Sequence, residues 1–169
     1  MLRVYPKYAK HPLALIDIRT QKLYLVKRLH LCALYPISTS RHGVGSIEDS
    51  CKTPEGAHRV AVKIGEGEPL YRRFKARQTT DKIASLNPYA TISSEDAICT
   101  RILWLGGLEP RINQGGYCDS QRRYIYIHGT TDEKRIGRPS SVGCIRMKNK
   151  DVVEVFDVLE CNSIVYVIA

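Results

Sequence analysis

The sequence has no long hydrophobic run, no closely spaced cysteine pair and no internal repeat. No apolar stretch approaches the ~18–20 residues that cross a bilayer, which excludes a helical membrane-spanning protein. The six cysteines form no CxxC pair and no paired Cys/His spacing, so no structural zinc site is expected. Nothing else in the sequence indicates a metal or a cofactor, and we expect none.

The N-terminal residues also lack the apolar segment of a secretory signal peptide. If Met1 is the native start, we expect a cytoplasmic protein whose cysteines are mostly free thiols. If a signal was removed, the protein is expected in the periplasm. There, Cys51, Cys99 and Cys118 could supply a disulfide.

The composition is that of a soluble globular domain, with 43% hydrophobic and 25% charged residues in a chain of 169. We expect a single domain over residues 1–169, acting as a monomer. The formal net charge is +9. Residues 1–84 carry 16 Lys and Arg against 7 Asp and Glu, whereas residues 85–169 carry 10 of each. The basic first half indicates an anionic partner: nucleic acid, a membrane surface or a carboxylate-rich substrate.

Short apolar and β-branched runs predict a mostly β fold with one or two helices. Residues 13–18 and 22–26 are predicted to form a β-hairpin. Residues 59–64 predict a half-buried strand with Val60, Val62 and Ile64 on one face. Further strands are predicted at residues 102–105, 124–127 and 164–168.

Two helices and one loop complete the prediction. Asn149 is a good N-cap for a C-terminal helix, whose apolar stripe is Val152, Val155, Phe156 and Leu159. Ser93 or Ser94 could cap a shorter helix over residues 95–98. The basic residues 72–80 are interpreted as a surface loop.

One segment concentrates reactive residues. A predicted strand delivers His128, and a turn of small residues presents Cys144. A nearby histidine would raise the thiolate fraction of such a cysteine, so Cys144 is expected to react fastest with a thiol probe near neutral pH. Gly143 permits a tight turn that would leave the Gly143 and Cys144 amides pointing at an oxyanion. Arg146 falls on the Cys144 side of an extended segment, where it could hold a carboxylate. The alternative for a lone cysteine is a small buried hydrophobe, which is how we interpret the other five.

These residues resemble the catalytic signature of L,D-transpeptidase (YkuD-like) domains. The likeness lies in the block 124–130, in Ile136-Gly137, and in residues 141–147 with Ser141, Gly143, Cys144 and Arg146 at the signature positions. The Thr-Pro-x-Gly turn at residues 53–56 also resembles the family, and the similarity runs from about Leu13 to the C-terminus.

The resemblance implies a β-sandwich or barrel-like catalytic domain that acts on peptidoglycan stem peptides or muropeptides. Cys144 would be the nucleophile that attacks the carbonyl between meso-diaminopimelate and the terminal D-Ala, with His128 as general base. D-Ala leaves, and an amine or water then resolves the thioester.

The remaining roles are also implied by the resemblance. The turn residues Ser141, Val142 and Gly143 would orient the nucleophile and its oxyanion, and the substrate would contact Arg146, Gly129, Thr130 and Tyr126. Val142 departs from the family, in which many members have His or a basic residue before the Gly-Cys pair. A backbone carbonyl at this position could still orient His128.

Three alternatives stay open. Without a signal peptide, the abundant acceptor is water, which favours L,D-carboxypeptidase action on a tetrapeptide over periplasmic cross-linking. The second hypothesis is a catalytically inactive domain that binds peptidoglycan. A nucleic-acid binder would use the basic residues 72–77 around Phe74, but no RNP, KH or helix-turn-helix pattern accompanies them. We therefore expect no nucleic-acid partner. The positive charge is better explained as attracting carboxylate-rich peptides.

Overall fold

Ten β-strands and one α-helix are found in residues 11–84 and 96–169, which the computed structural model describes. The strands are β1 Leu13–Asp17, β2 Lys22–Lys27, β3 His30–Pro36, β4 Gly56–Ile64, β5 Arg72–Lys75, β6 Gln78–Ile83, β7 Ile98–Gly107, β8 Tyr126–Thr130, β9 Ile145–Met147 and β10 Ile164–Ile168. The helix, α1, is Asn149–Val158. The prediction of a mostly β fold is confirmed. The single domain over residues 1–169 and the monomeric state stay predictions.

The strands form one mixed sheet in the order β3-β2-β1-β10-β4-β7-β5-β6, to which β8 and β9 are added through β7. The predicted N-terminal hairpin is present as β1 and β2, which pair antiparallel. The last strand, β10, lies parallel to β1. Near the site, β8 pairs antiparallel with β7 and parallel with β9. A parallel pair cannot be joined by a tight turn, so the 14 residues between β8 and β9 form a crossover connection.

Helix α1 covers the sheet with the predicted apolar stripe. Val152, Val155 and Phe156 are buried, as is Leu159 directly after the helix. They pack in one core cluster with residues of β1, β2, β7, β8, β9 and β10. Burying each such side chain stabilises the fold by roughly 1.5–3 kcal/mol.

Strand β4 does not present one continuous apolar face. Val60 is fully buried, but Val62 is 37% exposed and Ile64 packs in a different cluster. The register with β7 shifts between Val60 and Val62, which marks a β-bulge. An extra residue in a strand reverses the alternation beyond it, so the prediction of one shared face was wrong.

Asn149 is not the cap of α1. The cap position is Lys148, and Asn149 is the first helical residue, with a buried side chain. Its amide nitrogen donates to the Thr130 carbonyl (2.7 Å) and to Glu133 Oε1 (2.7 Å), and its oxygen accepts from Thr100 Oγ1 (2.5 Å). Glu133 Oε1 also accepts from the Asn149 backbone amide at 2.7 Å. Glu133 therefore satisfies the helix terminus, and Asn149 joins α1 to β7 and β8.

The predicted surface loop at residues 72–80 is a β-hairpin, β5–β6, whose turn residues Ala76 and Arg77 have φ of 49° and 69°. The buried side chain of Phe74 and the pairing of Arg73 with Cys99 hold β5 against β7. Such tertiary contacts override the polar composition of the segment. Strand β7 begins at Ile98, four residues before the predicted start. The helix predicted over residues 95–98 was wrong where the structure describes it: Asp96 and Ala97 lie in neither a helix nor a strand, and Ile98 already belongs to β7. Ser93, Ser94 and Glu95 lie outside the described residues.

All six cysteines are free thiols. Cys99 and Cys118 are buried as expected, but the expectation fails for three exposed cysteines, Cys32, Cys51 and Cys161. Within residues 11–84 and 96–169, no helix is long and apolar enough to cross a membrane.

The buried His58 makes stability dependent on pH. Its ring nitrogens lie 3.0 Å from the Gly56 carbonyl and 2.9 Å from Ser120 Oγ, and burial lowers its pKa to about 4. The unfolded chain, with a histidine pKa near 6.5, therefore binds a proton more readily than the folded one. The contribution is complete above about pH 6.5 and is lost as the pH falls toward 4.

We expect His58→Gln to remove about 2–3 kcal/mol from the difference in unfolding free energy between pH 7.5 and pH 4.5. Urea denaturation at the two pH values measures this difference. His42→Gln, at an exposed histidine, is the control and should leave it unchanged. An equal pH dependence for wild type and His58→Gln would contradict the assignment.

Candidate active site

The parallel pairing of β8 with β9 brings the reactive residues together. His128 lies in β8 opposite Arg146 of β9, and Cys144 directly precedes β9. On its other side, Arg146 exchanges two backbone hydrogen bonds with Ser38, at 2.9 and 2.8 Å. The Cys144 turn is therefore held from both sides by backbone pairing.

His128 is buried, with 3% exposure, and its Nδ1 lies 2.8 Å from the Gly129 carbonyl oxygen. A carbonyl only accepts hydrogen bonds, so Nδ1 carries the ring proton. Nε2 is then unprotonated and can accept a proton. Burial lowers the pKa of His128, an effect that the negative charge of Asp96 opposes. The imidazole is therefore neutral at pH 7 and has the tautomer that a general base needs.

Val142 does not supply the carbonyl that orients His128, since that partner belongs to Gly129. Its side chain is 59% exposed, at the start of the Gly-Cys turn. A side chain in this position is open to a ligand but forms no part of the packed site.

The turn before the candidate nucleophile is closed by Ser141. Its Oγ accepts from the Gly143 amide at 3.2 Å and donates to the Cys144 carbonyl at 2.6 Å. Thr53, from the Thr-Pro-x-Gly turn, donates to the Gly143 carbonyl at 2.9 Å. Gly143 has φ of +133°, a conformation that strains any other residue. The Gly143 amide is thus engaged within the turn, and the expectation that it points openly at a substrate was wrong. Its orienting role stays a prediction.

Cys144 is half-buried, and its Sγ donates to the Tyr124 carbonyl at 3.4 Å. It packs against a cluster that includes Phe74, Ile102 and Tyr126. Burial raises the pKa of Cys144 to about 11, and the negative charge of Asp96 also raises it. The Tyr126 backbone amide, Arg123 and Arg146 oppose this shift by favouring the thiolate. The resting site therefore holds a neutral thiol and a neutral imidazole, which contradicts the expectation of a ready thiolate.

Arg146 is 2% exposed and is paired with carboxylates of its own chain. Its Nη1 lies 2.5 Å from Asp96 Oδ2 and 3.7 Å from Asp132 Oδ2, and its Nη2 contacts Ser140 Oγ. A buried guanidinium requires such counter-charges, since desolvation alone would be too costly. These contacts assign Arg146 a positioning role in the resting structure, and its contact with a substrate carboxylate stays a prediction.

Gly129 and Thr130 are packed within the same region. A Cβ at Gly129 would lie 2.5 Å from Asn149 Oδ1 and 2.7 Å from the Cys99 carbonyl, so only glycine fits there. Thr130 is buried and contacts Asp96 through its hydroxyl. Both residues hold the site together, and their predicted contacts with substrate stay untested.

Tyr126 is also buried, and its hydroxyl accepts a hydrogen bond from Arg77 Nη1 at 3.3 Å. Burial raises the pKa of Tyr126, so the phenol keeps its proton at neutral pH. Its ring meets Trp104 edge-on, with the centroids 5.8 Å apart. Tyr126 therefore forms part of the wall around Cys144.

Sequence reasoning missed Asp96, Asn149 and Arg77. Asp96 is 50 positions from Arg146 along the chain, and no local spacing connects the two. At Asn149 the sequence indicates only a helix cap. Around Arg77 it indicates only a basic surface loop.

Comparison with known proteins gives a consistent picture. The L,D-transpeptidase catalytic domain family, YkuD, matches residues 11–167. The chain is also similar to YqjB of Bacillus subtilis (strain 168), which bears an L,D-transpeptidase name. The two are 26% identical over 152 residues, which cover 90% of this chain and 68% of YqjB.

Solved structures show the same fold. An L,D-transpeptidase from Xylanimonas cellulosilytica DSM 15894 superposes with a TM-score of 0.57 at 14% identity, covering 94% of this chain and 61% of that one. One from Mycobacterium smegmatis gives a TM-score of 0.54 at 17% identity, covering 94% and 59%. This chain therefore spans about three fifths of the length of these structural relatives.

The Asp96–Arg146 pair is expected to stabilise the fold. We expect Asp96→Asn to lower the free energy of unfolding by about 2 kcal/mol, since Asp132 still compensates part of the buried charge. Asp157→Asn, at an exposed position of α1, is the matched control and should change it by less than about 0.5 kcal/mol. Equal effects of the two substitutions in chemical denaturation would contradict the role of this pair.

The raised pKa of Cys144 sets its reactivity in the resting protein. Only the thiolate reacts with iodoacetamide, so alkylation of Cys144 at pH 7.5 should be slower than that of the exposed Cys161. The Cys144 rate should keep rising beyond pH 9. Peptide mapping by mass spectrometry at a series of pH values measures both rates. A Cys144 rate that levels off below pH 8 would show a depressed pKa instead.

Proposed function

Because the chain belongs to the L,D-transpeptidase (YkuD) catalytic domain family, we propose that it catalyses cysteine-dependent acyl transfer on peptidoglycan stem peptides. One observation carries the proposal. His128, with its tautomer set by the Gly129 carbonyl, lies on the strand that pairs with the one Cys144 leads into. This arrangement combines a candidate nucleophile with a base of the correct protonation state.

In the proposed first step, Cys144 Sγ attacks the carbonyl between meso-diaminopimelate and the terminal D-Ala. The thiol proton passes to His128 Nε2 as the carbon–sulfur bond forms. The imidazolium then returns that proton to the amine of D-Ala, and the carbon–nitrogen bond breaks. The product is a thioester on Cys144, with D-Ala released and the base again neutral.

The neutral resting state suits this order of events. With a pKa of about 11, roughly one Cys144 thiol in 10⁴ is ionised at pH 7, so attack depends on proton transfer to His128. The transfer becomes favourable when charge develops on a bound substrate. Such a site would spare its nucleophile from oxidation while no substrate is bound.

The second step requires an acceptor. Water, deprotonated by His128, would release a tripeptide, which is the L,D-carboxypeptidase reaction. The amine of a second stem peptide would instead give a cross-link, which is the transpeptidase alternative. The same Cys144–His128 pair serves both acceptors.

Incubation with a disaccharide-tetrapeptide tests the proposal, with D-Ala followed by mass spectrometry. We expect release by wild type, none by Cys144→Ala, and a loss of about 10²–10⁴-fold for His128→Ala. Cys161→Ala, at an exposed cysteine, is the control and should match wild type. Equal release by Cys144→Ala and wild type would refute the mechanism.

The accompanying product identifies the acceptor. A tripeptide indicates hydrolysis, whereas a cross-linked dimer indicates transpeptidation. Binding of the tetrapeptide without any release would instead favour an inactive peptidoglycan-binding domain.

A further inference from the structure

Arg77, at the turn of the β5–β6 hairpin, lies on a group of aromatic side chains. Its guanidinium carbon is 4.6 Å from the centroid of the Tyr124 ring and 5.0 Å from that of Trp104. Its Nη1 donates to the Tyr126 hydroxyl at 3.3 Å. A guanidinium stacked on aromatic faces keeps its orientation at a low entropic cost.

The same aromatic residues border Cys144. The Tyr124 carbonyl accepts the hydrogen bond from Cys144 Sγ, and Cys144 packs in the cluster that contains Tyr126 and Trp104. Arg77 and the candidate nucleophile therefore share one wall of the site. Residues 72–83 fold over this wall as a hairpin whose turn is Ala76-Arg77.

Arg146 and Arg77 differ in their charge balance, and a third arginine near Cys144, Arg123, is engaged by the Gly45 and Lys52 carbonyls and by Ser50 Oγ. Arg146 is buried and paired with Asp96 and Asp132. Across residues 11–84 and 96–169, no carboxylate contacts Arg77, and its guanidinium donates a hydrogen bond to the neutral Tyr126 hydroxyl. A guanidinium has five N–H groups, so the remaining ones can bind a carboxylate in the two-pronged geometry that arginine favours.

We propose that Arg77 is the ligand for the terminal carboxylate of the acyl-donor peptide and so selects peptides that end one residue after the attacked carbonyl. The inference rests on the proposed function for the identity of the donor. The terminal carboxylate lies within one residue, about 3.8 Å of backbone, of the bond that Cys144 would break. A cation on the wall beside the nucleophile is in the region where that charge must be bound. Arg77 thereby takes the role that the sequence assigned to Arg146.

Two donors that differ only in this charge test the proposal: a tetrapeptide ending in D-Ala and the same peptide ending in D-alaninamide. Arg77→Gln should lower kcat/KM for the free carboxylate by about 10–100-fold and for the amide by less than about 3-fold. Arg77→Lys should retain part of the discrimination, because it keeps the charge without the planar fork. Lys75→Gln, at an exposed cation on the same hairpin, is the matched control and should leave both values unchanged. Equal losses on both donors would overturn the proposal and assign Arg77 to holding the hairpin.

A second measurement needs no turnover. Iodoacetate and iodoacetamide react with the same thiolate, so the ratio of their rates at Cys144 cancels the ionised fraction and reports the local charge. Arg77→Gln should lower the iodoacetate-to-iodoacetamide ratio several-fold at Cys144 and leave it unchanged at Cys161. An unchanged ratio at Cys144 would overturn the anion site.

The two measurements separate the inference from the proposed function. A falling alkylation ratio in a protein that releases no D-Ala would keep the anion site and refute the acyl-transfer proposal. If wild type releases D-Ala and Arg77→Gln keeps both the wild-type preference between the two donors and the wild-type alkylation ratio, the acyl-transfer proposal stands and the anion site is refuted.

Discussion

The ion pair between the buried Arg146 and the partly exposed Asp96 is the interaction on which the site depends. Arg146 belongs to β9, the strand that follows Cys144, and Asp96 precedes β7. A guanidinium with 2% exposure is tolerated only beside a counter-charge, so this pair constrains how β9 lies against its neighbours. A shift of β9 by one residue relative to β8 would turn its side chains to the opposite faces, and Arg146 would leave its carboxylates. The same pairing orders the turn that presents Cys144.

The site separates its charges from its reactive groups. Cys144 and His128 are both neutral at rest because removal from water, partial for Cys144 and nearly complete for His128, disfavours their charged forms. The positive charge of Arg146 is compensated by Asp96 and Asp132, whereas Arg77 stacks on the aromatic wall with no carboxylate in contact among residues 11–84 and 96–169. A low dielectric around the thiol and imidazole strengthens any field that acts on a bound substrate. This arrangement fits a site in which ionisation follows substrate binding.

Features with a local signal in the sequence were predictable. Two short apolar runs around a polar break predict the β1–β2 hairpin, and apolar residues at helical spacing predict the buried stripe of α1. Both predictions are confirmed. The bulge in β4 and the β5–β6 hairpin were missed because each depends on pairing with β7, a strand distant in sequence. Asn149 has a capping residue's chemistry, but it is used instead to join three elements that only the fold brings together.

The sequence by itself determined the fold class, the family and the residues to consider as nucleophile and base, because the motif around Cys144 and His128 is short and its residue types are chemically restrictive. The tertiary structure alone decided the protonation of those two residues, the partners of Arg146 and the place of Arg77. Desolvation and Coulomb interactions act through space. The groups that act on Cys144, His128 and Arg146 come from segments far apart in the chain. No local pattern of residues could therefore predict these protonation states and contacts.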